Sequence, residues 1–575
     1  MTRSSLTILL LFAPGSLSAA EPVDVGSRRE LFVDRHLIDR LDGARLVLHR
    51  PQPREVALDF DRPWEAETPG YVTVFQDGEL CRMYYRALPD GPGRREDRQV
   101  TCYAQSDDGI RWTRPELGIV EFQGSKKNNL ILRGVTSHNI TPFRDTNPNC
   151  SPDQQYKAVG GVKWSSGGLW AFGSSDGIHW LKLGGKPLPL EGNFDSQNVV
   201  FWDSVRKKYR AYWRDHRRGD PKVPDGRDVR TATSEDFVNW SEPQWLDYDP
   251  GRRGTADRDG DPHQFYTNGV RPYHRSPHLL LGFPMRYIDR GWTASTDALP
   301  NIERRRELAA RGIGGGRPTR LGTAVTDVLF MAGRDGLRFF VWPEAVIPPG
   351  IQRNGAWFYG SGFTALGMVE TASPLDGAPR ELSVYVTENA RQETPKRLRR
   401  YAFRMDGFAS VHSSLHGGEL LTKPLVFSGD RLQINFATAA GGSLRVEIQG
   451  TAGKPIPGFT LADCHLQYGD QLDRVVSWKS GHDVSQLAGK PVRLRIELKD
   501  ADLYSFQFTA ASPKTFRKSS RNSPKIRYTA SPVPIAASGW TRRCSMHCRE
   551  WPWATTFWCP PRGSIMPWAI CCRRL

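Results

Sequence analysis

A seven-residue phrase recurs along this chain and constrains its fold more than any other feature. Residues 106–112 read Ser-Asp-Asp-Gly-Ile-Arg-Trp, and residues 174–180 read Ser-Ser-Asp-Gly-Ile-His-Trp. Weaker copies occupy residues 234–240 and 333–339, with a fainter echo at 405–408. Asp-Gly favours a tight turn, because glycine accepts positive φ and the aspartate side chain bonds back to nearby backbone. Each copy therefore predicts a hairpin whose next strand is anchored by an aromatic ring.

The spacing of these copies predicts a repeat architecture. Successive aspartates are separated by 68, 60, 99 and 71 residues, the five being Asp108, Asp176, Asp236, Asp335 and Asp406. A propeller blade needs about 40–50 residues, so each interval holds one blade plus an insertion. The sequence therefore predicts an all-β fold with a five-bladed β-propeller over residues 60–415. The alternative, that Asp-Gly turns are common in any β protein, leaves the shared register unexplained.

The segments flanking the predicted propeller have their own signals. His416-Gly417-Gly418 indicates a boundary, and alternating apolar and polar residues beyond it predict a β-sandwich over residues 416–508. Residues 21–59 are predicted to lead into the first blade. A helix is predicted over residues 302–311, with Asn301 as N-cap and Gly312 at the C-terminal end.

Composition supports the all-β prediction. The chain has 55 Gly, 42 Pro, 18 Trp, 17 Tyr and 26 Phe, which favours strands and turns over helices. Residues 1–20 resemble a secretory signal, with Arg3 before a short apolar run and a small-residue cleavage site at Ala20. We therefore expect export to the periplasm or the extracellular space, with no membrane span.

The net charge of +17 suggests a nucleic-acid partner, but its distribution argues against one. From Thr509 to the end there are 12 Lys+Arg and one acid, so the rest of the chain carries only +6. That tail also holds five of the nine cysteines, without zinc-ribbon spacing. We interpret residues 509–575 as a disordered tail read out of frame; the alternative is a Cys-rich metal or disulfide module. Translating the gene's other two frames past codon 508 tests this.

Two of the remaining cysteines flank a predicted hairpin. Cys81 and Cys102 would face each other across it. In an exported protein they form a disulfide or remain two buried free thiols, and the sequence leaves both alternatives open.

Carboxylates that precede the first strand of each predicted blade are candidates for catalysis, because the starts of inner strands converge at one mouth of the propeller channel. Candidates in this position are Glu65 or Glu67, Asp145, Asp195 and Asp261. Two carboxyl groups about 5–10 Å apart hydrolyse glycosidic bonds, one as general acid and one as nucleophile or base. The alternative is that each aspartate only caps a loop.

Several stretches resemble the invertase- and arabinanase-like hydrolases of glycoside hydrolase families 32 and 43, and more closely a group of exported bacterial family-32-like proteins. They lie between residues 30 and 508 and are residues 30–34, 71–86, 143–148, 266–268, 406–412 and 418–508. The resemblance implies that Glu67 (or Glu65) is nucleophile or base, that Asp145 assists, and that Asp195 is the general acid. The chain departs from family 32 in lacking its Trp-x-Asn-Asp-Pro-Asn-Gly stretch and its Glu-Cys pair.

Polar residues near these carboxylates are predicted to bind sugar hydroxyls, namely Arg144, Asn147, Asn198, Tyr266 and Asn268. Rings that stack on a sugar or pack between strands are Trp64, Trp357 and Tyr359. His274 and His278 lie in a Pro-containing stretch that disfavours a helical metal site, and there is no phosphate loop or dinucleotide fingerprint, so we expect no metal and no cofactor. The predicted partner is an oligo- or polysaccharide, and the predicted function is glycoside hydrolysis. The alternatives are a non-catalytic carbohydrate- or protein-binding propeller and a structural surface protein.

Overall fold

The computed structural model describes residues 21–218, 226–249, 264–311, 320–392 and 395–510, without the side chains of Glu67, Thr68 and Arg311. The predicted signal segment, Asp261 and nearly all of the predicted tail lie outside these residues. The described chain is all-β, as predicted. Its α-helices are short: Lys163–Ser166, Ala294–Asp297, Ile302–Arg311 and Arg320–Thr323. The predicted helix over residues 302–311 is confirmed.

Three antiparallel sheets of four strands follow each other along the chain. Sheet 1 contains Glu67–Asp77, Leu80–Leu88, Val100–Ser106 and Leu130–Arg133. Sheet 2 contains Thr141–Arg144, Tyr156–Gly160, Trp170–Ser174 and Leu181–Leu183. Sheet 3 contains Val199–Asp203, Lys208–Arg217, Gly226–Ser234 and Gln244–Trp245.

The next sheets are less regular. Sheet 4a contains Gln264–Phe265, Met285–Asp289 and Ala324–Val328. Sheet 4b contains, in spatial order, Asp247–Asp249, Arg338–Val341, Met331–Gly333, Ser276–Gly282 and Arg271–Tyr273. Sheet 5 contains Val369–Thr371, Glu381–Glu388, Arg397–Phe403 and, from the N-terminal segment, Gln52–Asp59.

A ten-stranded sheet combines both ends of the described chain. Its strands are Val23–Gly26, Arg29–Leu31, Ile38–Asp42, Ala44–Leu48, Ala409–Ser413, Gly418–Thr422, Leu425–Phe427, Arg431–Gly450, Asp470–Val475 and Val492–Thr509. Residues 21–59, predicted as a lead-in, therefore supply four strands to this sheet and one to sheet 5. The predicted alternation is present: Leu444, Val446 and Ile448 are fully buried opposite an equally buried partner strand. These residues belong to one hydrophobic core that the strands of this sheet share.

The recurring Asp-Gly phrase forms the expected turns. In the first copy, Asp108 Oδ1 accepts hydrogen bonds from the backbone N–H groups of Ile110 and Arg111, each at 2.8 Å. The second copy repeats this geometry with Asp176. Gly177 adopts a φ of +76°, and a Cβ there would lie 2.8 Å from the hydroxyl oxygen of Tyr84. Glycine is therefore required both for the backbone conformation and for the close contact.

These turns also hold neighbouring sheets together. Three buried tyrosine hydroxyls donate to carbonyl oxygens of the turns: Tyr84 of sheet 1 to Gly177, Tyr212 of sheet 3 to Gly336, and Tyr385 of sheet 5 to Gly109. The fifth echo behaves differently, because Asp406 is buried and accepts a hydrogen bond from Tyr273 of sheet 4b at 2.5 Å. The repeated phrase is thus a contact point between sheets as well as a hairpin turn.

Cys81 and Cys102 are buried free thiols. The expectation that they face each other is wrong, because the strand register pairs Cys81 with Ser106 and Cys102 with Tyr85. Of the two alternatives left open by the sequence, the structure has the free thiols.

Candidate functional site

A cavity of about 1010 Å³ lies where residues of sheets 1, 3, 4a and 5 and the loops between them meet. Asp195 and four tyrosines, Tyr71, Tyr266, Tyr287 and Tyr359, line it. Trp164, 54% exposed, also lines it, and its ring lies edge-on to His138 at 6.0 Å. A concave site that combines aromatic faces with a few charged groups is typical of ligand binding.

The loop that carries Asp195 is held in place by its own polar side chains. Ser196 Oγ donates to the carbonyl oxygen of Tyr266 at 2.6 Å. Gln197 Nε2 donates to the carbonyl oxygen of Val72 at 3.0 Å. Asn198 Nδ2 donates to the carbonyl oxygen of Phe194 at 3.0 Å, within the loop. Because sheets 1 and 4a both anchor the loop, Asp195 is fixed at the cavity wall.

Asp195 lies beside a guanidinium group and an imidazole ring. Arg214 Nη2 lies 3.4 Å from Asp195 Oδ2, and His138 Nε2 lies 3.5 Å from Oδ1. Burial raises the pKa of Asp195, but the Arg214 and Arg86 guanidinium groups outweigh burial, so its pKa lies below its ordinary value. Asp195 is therefore a carboxylate at neutral pH. This charge suits a nucleophile or base better than the general acid that the sequence predicted.

The hydrogen bonds around His138 indicate a neutral imidazole. Arg86 donates to Asn139 Oδ1 at 2.7 Å, which orients that amide so that Nδ2 donates to His138 Nε2 at 3.0 Å. His138 Nδ1 then donates to Gln99 Oε1 at 2.7 Å. Burial lowers the pKa of His138, in agreement with this assignment. Because its Nε2 already accepts from Asn139, His138 lies beside Asp195 as a neutral ring that neither donates to the carboxylate nor neutralises it.

The cavity wall is strongly cationic. Among the described residues that line it there are three carboxylates, Glu96, Asp195 and Asp289, and seven cations, Arg86, Arg95, Arg218, Arg227, Arg320, Arg391 and Lys396. Several guanidinium groups lie over tyrosine rings. Arg227 lies 4.8 Å from the ring centroid of Tyr287, and Arg391 lies 4.9 Å from that of Tyr359. Cation–π contacts hold these charges in place without neutralising them.

His216, on the same wall, responds to this positive charge. Burial and the neighbouring Arg214, Arg227 and Arg218 lower the pKa of His216 to about 4. The imidazole is therefore neutral at pH 7.

Three of the predicted site residues lie together, but away from the cavity wall. The carboxylate of Asp145 is fully buried and pairs with Lys157, and it accepts a hydrogen bond from Tyr209 at 2.6 Å. Asn147 donates to the same tyrosine at 3.2 Å, and Arg144 donates to Asp77 at 2.6 Å. These contacts favour the structural alternative for all three residues.

The strand bounds explain this placement. The sequence treats Asp145 as a residue that precedes an inner strand, whereas in the structure it follows the strand Thr141–Arg144. His138, which precedes that strand, lines the cavity, as does Asp195 before the strand Val199–Asp203. Asp145 therefore lies at the opposite end of its strand from the cavity.

The other predicted residues have different positions. Tyr266 lines the cavity and shares a hydrogen bond between hydroxyl groups with Tyr359. Asn198 and Asn268 are buried, and Asn268 accepts from the N–H of Val270 at 3.1 Å, so both support loops. Glu67 begins the first strand of sheet 1, next to lining residues 69–71, and its side chain is outside the described part of the structure.

Two neighbouring predictions also have clear positions. Glu65, the alternative to Glu67, is buried and accepts a hydrogen bond from Tyr85 at 2.6 Å. Trp64 donates its indole N–H to Asn129 at 2.9 Å, and Trp357 donates to the carbonyl oxygen of Gly350 at 2.8 Å. Of the three predicted ring residues, only Tyr359 is among those that line the described cavity.

The sequence interpretation missed the arginines, although a signal for two of them exists. Residues 82–86 read Arg-Met-Tyr-Tyr-Arg, and residues 210–214 read Arg-Ala-Tyr-Trp-Arg. In both copies the tyrosine in the middle reaches an Asp-Gly turn, and the last arginine lies beside Asp195. A search for this second repeat would have found Arg86 and Arg214.

Comparisons with known proteins give distant likenesses. No family model matches the chain. Over 163 residues it is 29% identical to two uncharacterized proteins of Mycobacterium tuberculosis, MT1551 and Rv1502, a match that covers 28% of this chain and 46% of theirs. The chain thus spans about half the length of these curated relatives.

Solved structures similar to this chain include members of the two families that the sequence resembles. A family 43 arabinoxylan arabinofuranohydrolase from Bacillus subtilis has a TM-score of 0.36 at 11% identity, covering 80% of this chain and 99% of its own. The family 32 β-fructofuranosidase BmSUC1 of Bombyx mori has 0.33 at 10%, covering 81% and 95%. An N-acetylgalactosamine deacetylase from F. plautii, solved with a blood group B trisaccharide, has 0.37 at 13%, covering 64% and 96%.

Two further properties of the described residues are the arrangement of their metal-ligating side chains and the length of their helices. Within the described ranges, no group of three or more His, Cys, Asp or Glu side chains is arranged to hold a metal ion. His274 Nε2 instead lies 2.8 Å from Glu370, and His278 Nε2 lies 3.0 Å from Glu30. In that same part of the chain, no helix is long and apolar enough to cross a bilayer.

Proposed function

We propose that this chain is an exported glycoside hydrolase whose active site is the cavity lined by Asp195. The observation that carries this proposal is an ionised carboxylate held at the wall of a large cavity among tyrosines and an exposed tryptophan. Glycosidases need such a carboxylate, and sugars stack on aromatic faces. Export is supported by the composition of residues 1–20.

The architecture that we propose for this enzyme is a five-bladed propeller followed by a β-sandwich. In chain order, sheets 1, 2 and 3 are the first three blades, sheets 4a and 4b together are the fourth, and sheet 5 is the fifth. Gln52–Asp59 pairs with Arg397–Phe403 and so joins the beginning of the chain to the last blade. The contact of Tyr385 with Gly109 joins that last blade to the first. The ten-stranded sheet is the sandwich. Such a ring places the starts of the inner strands around the cavity.

We assign Asp195 the role of nucleophile or base and Glu67 that of general acid. An Asp195 carboxylate is available for attack on the anomeric carbon or for activation of water, because its charge is stabilised by Arg214 and Arg86. Glu67 begins the strand that contributes residues 69–71 to the wall. This assignment reverses the roles that the family resemblance implied for the two residues. Asp145 has no catalytic role in this proposal.

Trp164 is assigned to bind a sugar ring at the cavity mouth. Its side chain is 54% exposed, although burying an indole ring is favourable, and it lies on the cavity wall beside His138. An exposed indole of this kind provides a flat surface for the apolar face of a sugar.

A glycan-hydrolysis screen of the full chain tests the proposal. We expect release of reducing sugar from at least one oligosaccharide, and a loss of kcat of more than about 100-fold in Asp195→Asn. Glu67→Gln should behave similarly, and Glu96→Gln, a carboxylate on the same wall, should retain activity. Asp145→Asn should lower thermal stability without lowering the kcat of the folded protein. Full activity in Asp195→Asn would remove the proposed site.

A non-catalytic carbohydrate-binding protein is the second candidate. It is favoured by one observation, that the pKa of the wall carboxylate Asp195 is lowered, whereas a general acid needs a raised pKa. Saccharide binding that depends on Trp164, with no hydrolysis by any variant, would select this function.

A further inference from the structure

The cavity has a feature that hydrolysis of a neutral sugar does not require. Its wall carries a group of arginines, Arg218, Arg227, Arg320 and Arg391, around tyrosine rings. Carboxylates alone serve the chemistry of glycoside hydrolysis, and neutral hydroxyl groups are recognised by neutral polar side chains as well as by charged ones. The arginines therefore bear on the charge of the ligand.

The arginines around Tyr266 are the best described of these. Arg214 lies 4.7 Å and Arg227 5.3 Å from the ring centroid of Tyr266. Arg214 is only 2% exposed, and its ion pair with Asp195 is long, at 3.4 Å. Arg227 donates to the neutral side chain of Gln264. The buried Nε atoms of both have no hydrogen-bond partner among the described residues. Two guanidinium groups are thus held near one ring, and the described carboxylate Asp195 pairs with only one of them, Arg214.

Placing like charges together costs free energy unless a ligand balances them. Burial and Arg214 lower the pKa of Arg227, and burial with three arginines lowers that of His216 to about 4. The positive potential inside the cavity is therefore not cancelled by the described groups. A bound anion would cancel it, and the planar fork of arginine binds carboxylates and sulfates through two parallel hydrogen bonds.

We propose that the ligand of this cavity is an anionic saccharide, with its carboxylate or sulfate group bound by Arg227 beside Tyr266. The inference rests on the proposed function, because it names the substrate class of the same site. The tyrosines supply contact to the sugar rings, and the arginines supply selectivity for the charge. A nucleic acid also combines anions with flat rings, but the chain before residue 509 carries a net charge of only +6, so a nucleic acid is the alternative outcome of the test.

Binding measurements on the full-length Asp195→Asn protein, which avoids turnover, test this inference. Four probes are compared at equal chain length: an oligogalacturonate, a sulfated galactan oligosaccharide, a neutral galactan oligosaccharide and oligo-dT. We expect one of the two anionic saccharides to bind at least about tenfold more tightly than the neutral one. A gain in affinity of this size is what one charged hydrogen bond contributes. Which of the two binds identifies carboxylate or sulfate. Equal affinity for the neutral saccharide, or tighter binding of oligo-dT, would overturn the proposal.

Variants of Arg227 test whether this arginine binds the anionic group of the saccharide. Arg227→Gln should weaken anionic binding about tenfold and leave neutral binding unchanged, whereas Arg227→Lys should restore part of the loss. Arg111→Gln, which changes an 89% exposed arginine in a surface turn, is the matched control. Binding should also raise the pKa of His216, measured by NMR of labelled histidine. An anionic preference that is unchanged in Arg227→Gln, with His216 unperturbed, would place the ligand elsewhere.

The outcome separates the two proposals. If a neutral saccharide is hydrolysed in an Asp195-dependent way and anions have no advantage, the inference fails and the hydrolase stands. If anionic saccharides bind through Arg227 and no saccharide is hydrolysed, the hydrolase fails and the anionic specificity stands.

Discussion

Glu30 offers a quantitative test of how the N-terminal strands are held. Its side chain is 1% exposed, in the strand Arg29–Leu31 of the ten-stranded sheet. Arg334 of sheet 4b's hairpin donates to one carboxylate oxygen at 2.8 Å, and His278 Nε2 lies 3.0 Å from the other. Burial raises the pKa of Glu30, but His278 and Arg334 outweigh burial and lower it from 4.5 to about 2.

This shift predicts both a magnitude and a pH dependence. A depressed pKa means that the carboxylate stabilises the folded chain above the unfolded-state pKa of 4.5 and stops doing so as the pH falls toward 2. At about 1.4 kcal/mol per pKa unit, the contribution at pH 7 is about 3 kcal/mol. Glu30→Gln should therefore lower the free energy of unfolding by about 3 kcal/mol at pH 7, and by progressively less below pH 4.5.

Urea unfolding followed by tryptophan fluorescence at pH 7, 5, 4 and 3 measures this difference. Glu235→Gln is the matched control, because that side chain is 84% exposed and its pair with Lys208 should contribute less than about 0.5 kcal/mol. A Glu30→Gln difference that stays the same from pH 7 to pH 3 would show that Glu30 acts through packing, and would refute the charge-based reasoning.

Three further predictions concern the turns, the thiols and the cavity mouth. Tyr84→Phe should lower stability by about 1 kcal/mol in urea unfolding, because it removes the buried hydrogen bond from the Tyr84 hydroxyl to the Gly177 carbonyl, which keeps only the Trp180 indole N–H as donor; an unchanged midpoint would contradict the role of this contact. Cys81 and Cys102 should resist alkylation in the folded protein, because both are buried and burial raises the pKa of Cys81 to about 11. Both should react after unfolding without reductant. If they react only after a reductant is added, they form a disulfide. Trp164→Ala should weaken saccharide binding about tenfold in calorimetry without changing the melting temperature, and equal affinity would remove the stacking role.

Much of the fold was accessible from sequence because its signals are local. The Asp-Gly turns follow from glycine's positive φ and from the aspartate side chain, and both are visible in the phrase at Asp108. The alternation of Leu444, Val446 and Ile448 likewise shows one buried face. By contrast, the pairing of Gln52–Asp59 with Arg397–Phe403 joins segments more than 300 residues apart, and no local pattern encodes that pairing.

The site was harder to predict, because its position depends on which end of a strand faces the cavity. Asp145 and Asp195 look alike in sequence, as acidic residues beside an apolar run. One follows its strand and is used in an ion pair with Lys157, whereas the other precedes its strand and lines the cavity. Because the short strand Thr141–Arg144 was not recognised in the sequence, the prediction placed the structural aspartate Asp145 on the wall in place of His138.

The central claim is that the cavity at Asp195 binds and cleaves a saccharide. The most direct measurement is a crystal structure of the full-length Asp195→Asn protein with an oligosaccharide that the wild type hydrolyses. We predict a glycosidic bond within hydrogen-bond reach of residue 195, with a sugar ring against Trp164. An oligosaccharide bound outside this cavity, or one whose glycosidic bonds all lie far from residue 195, would contradict the account.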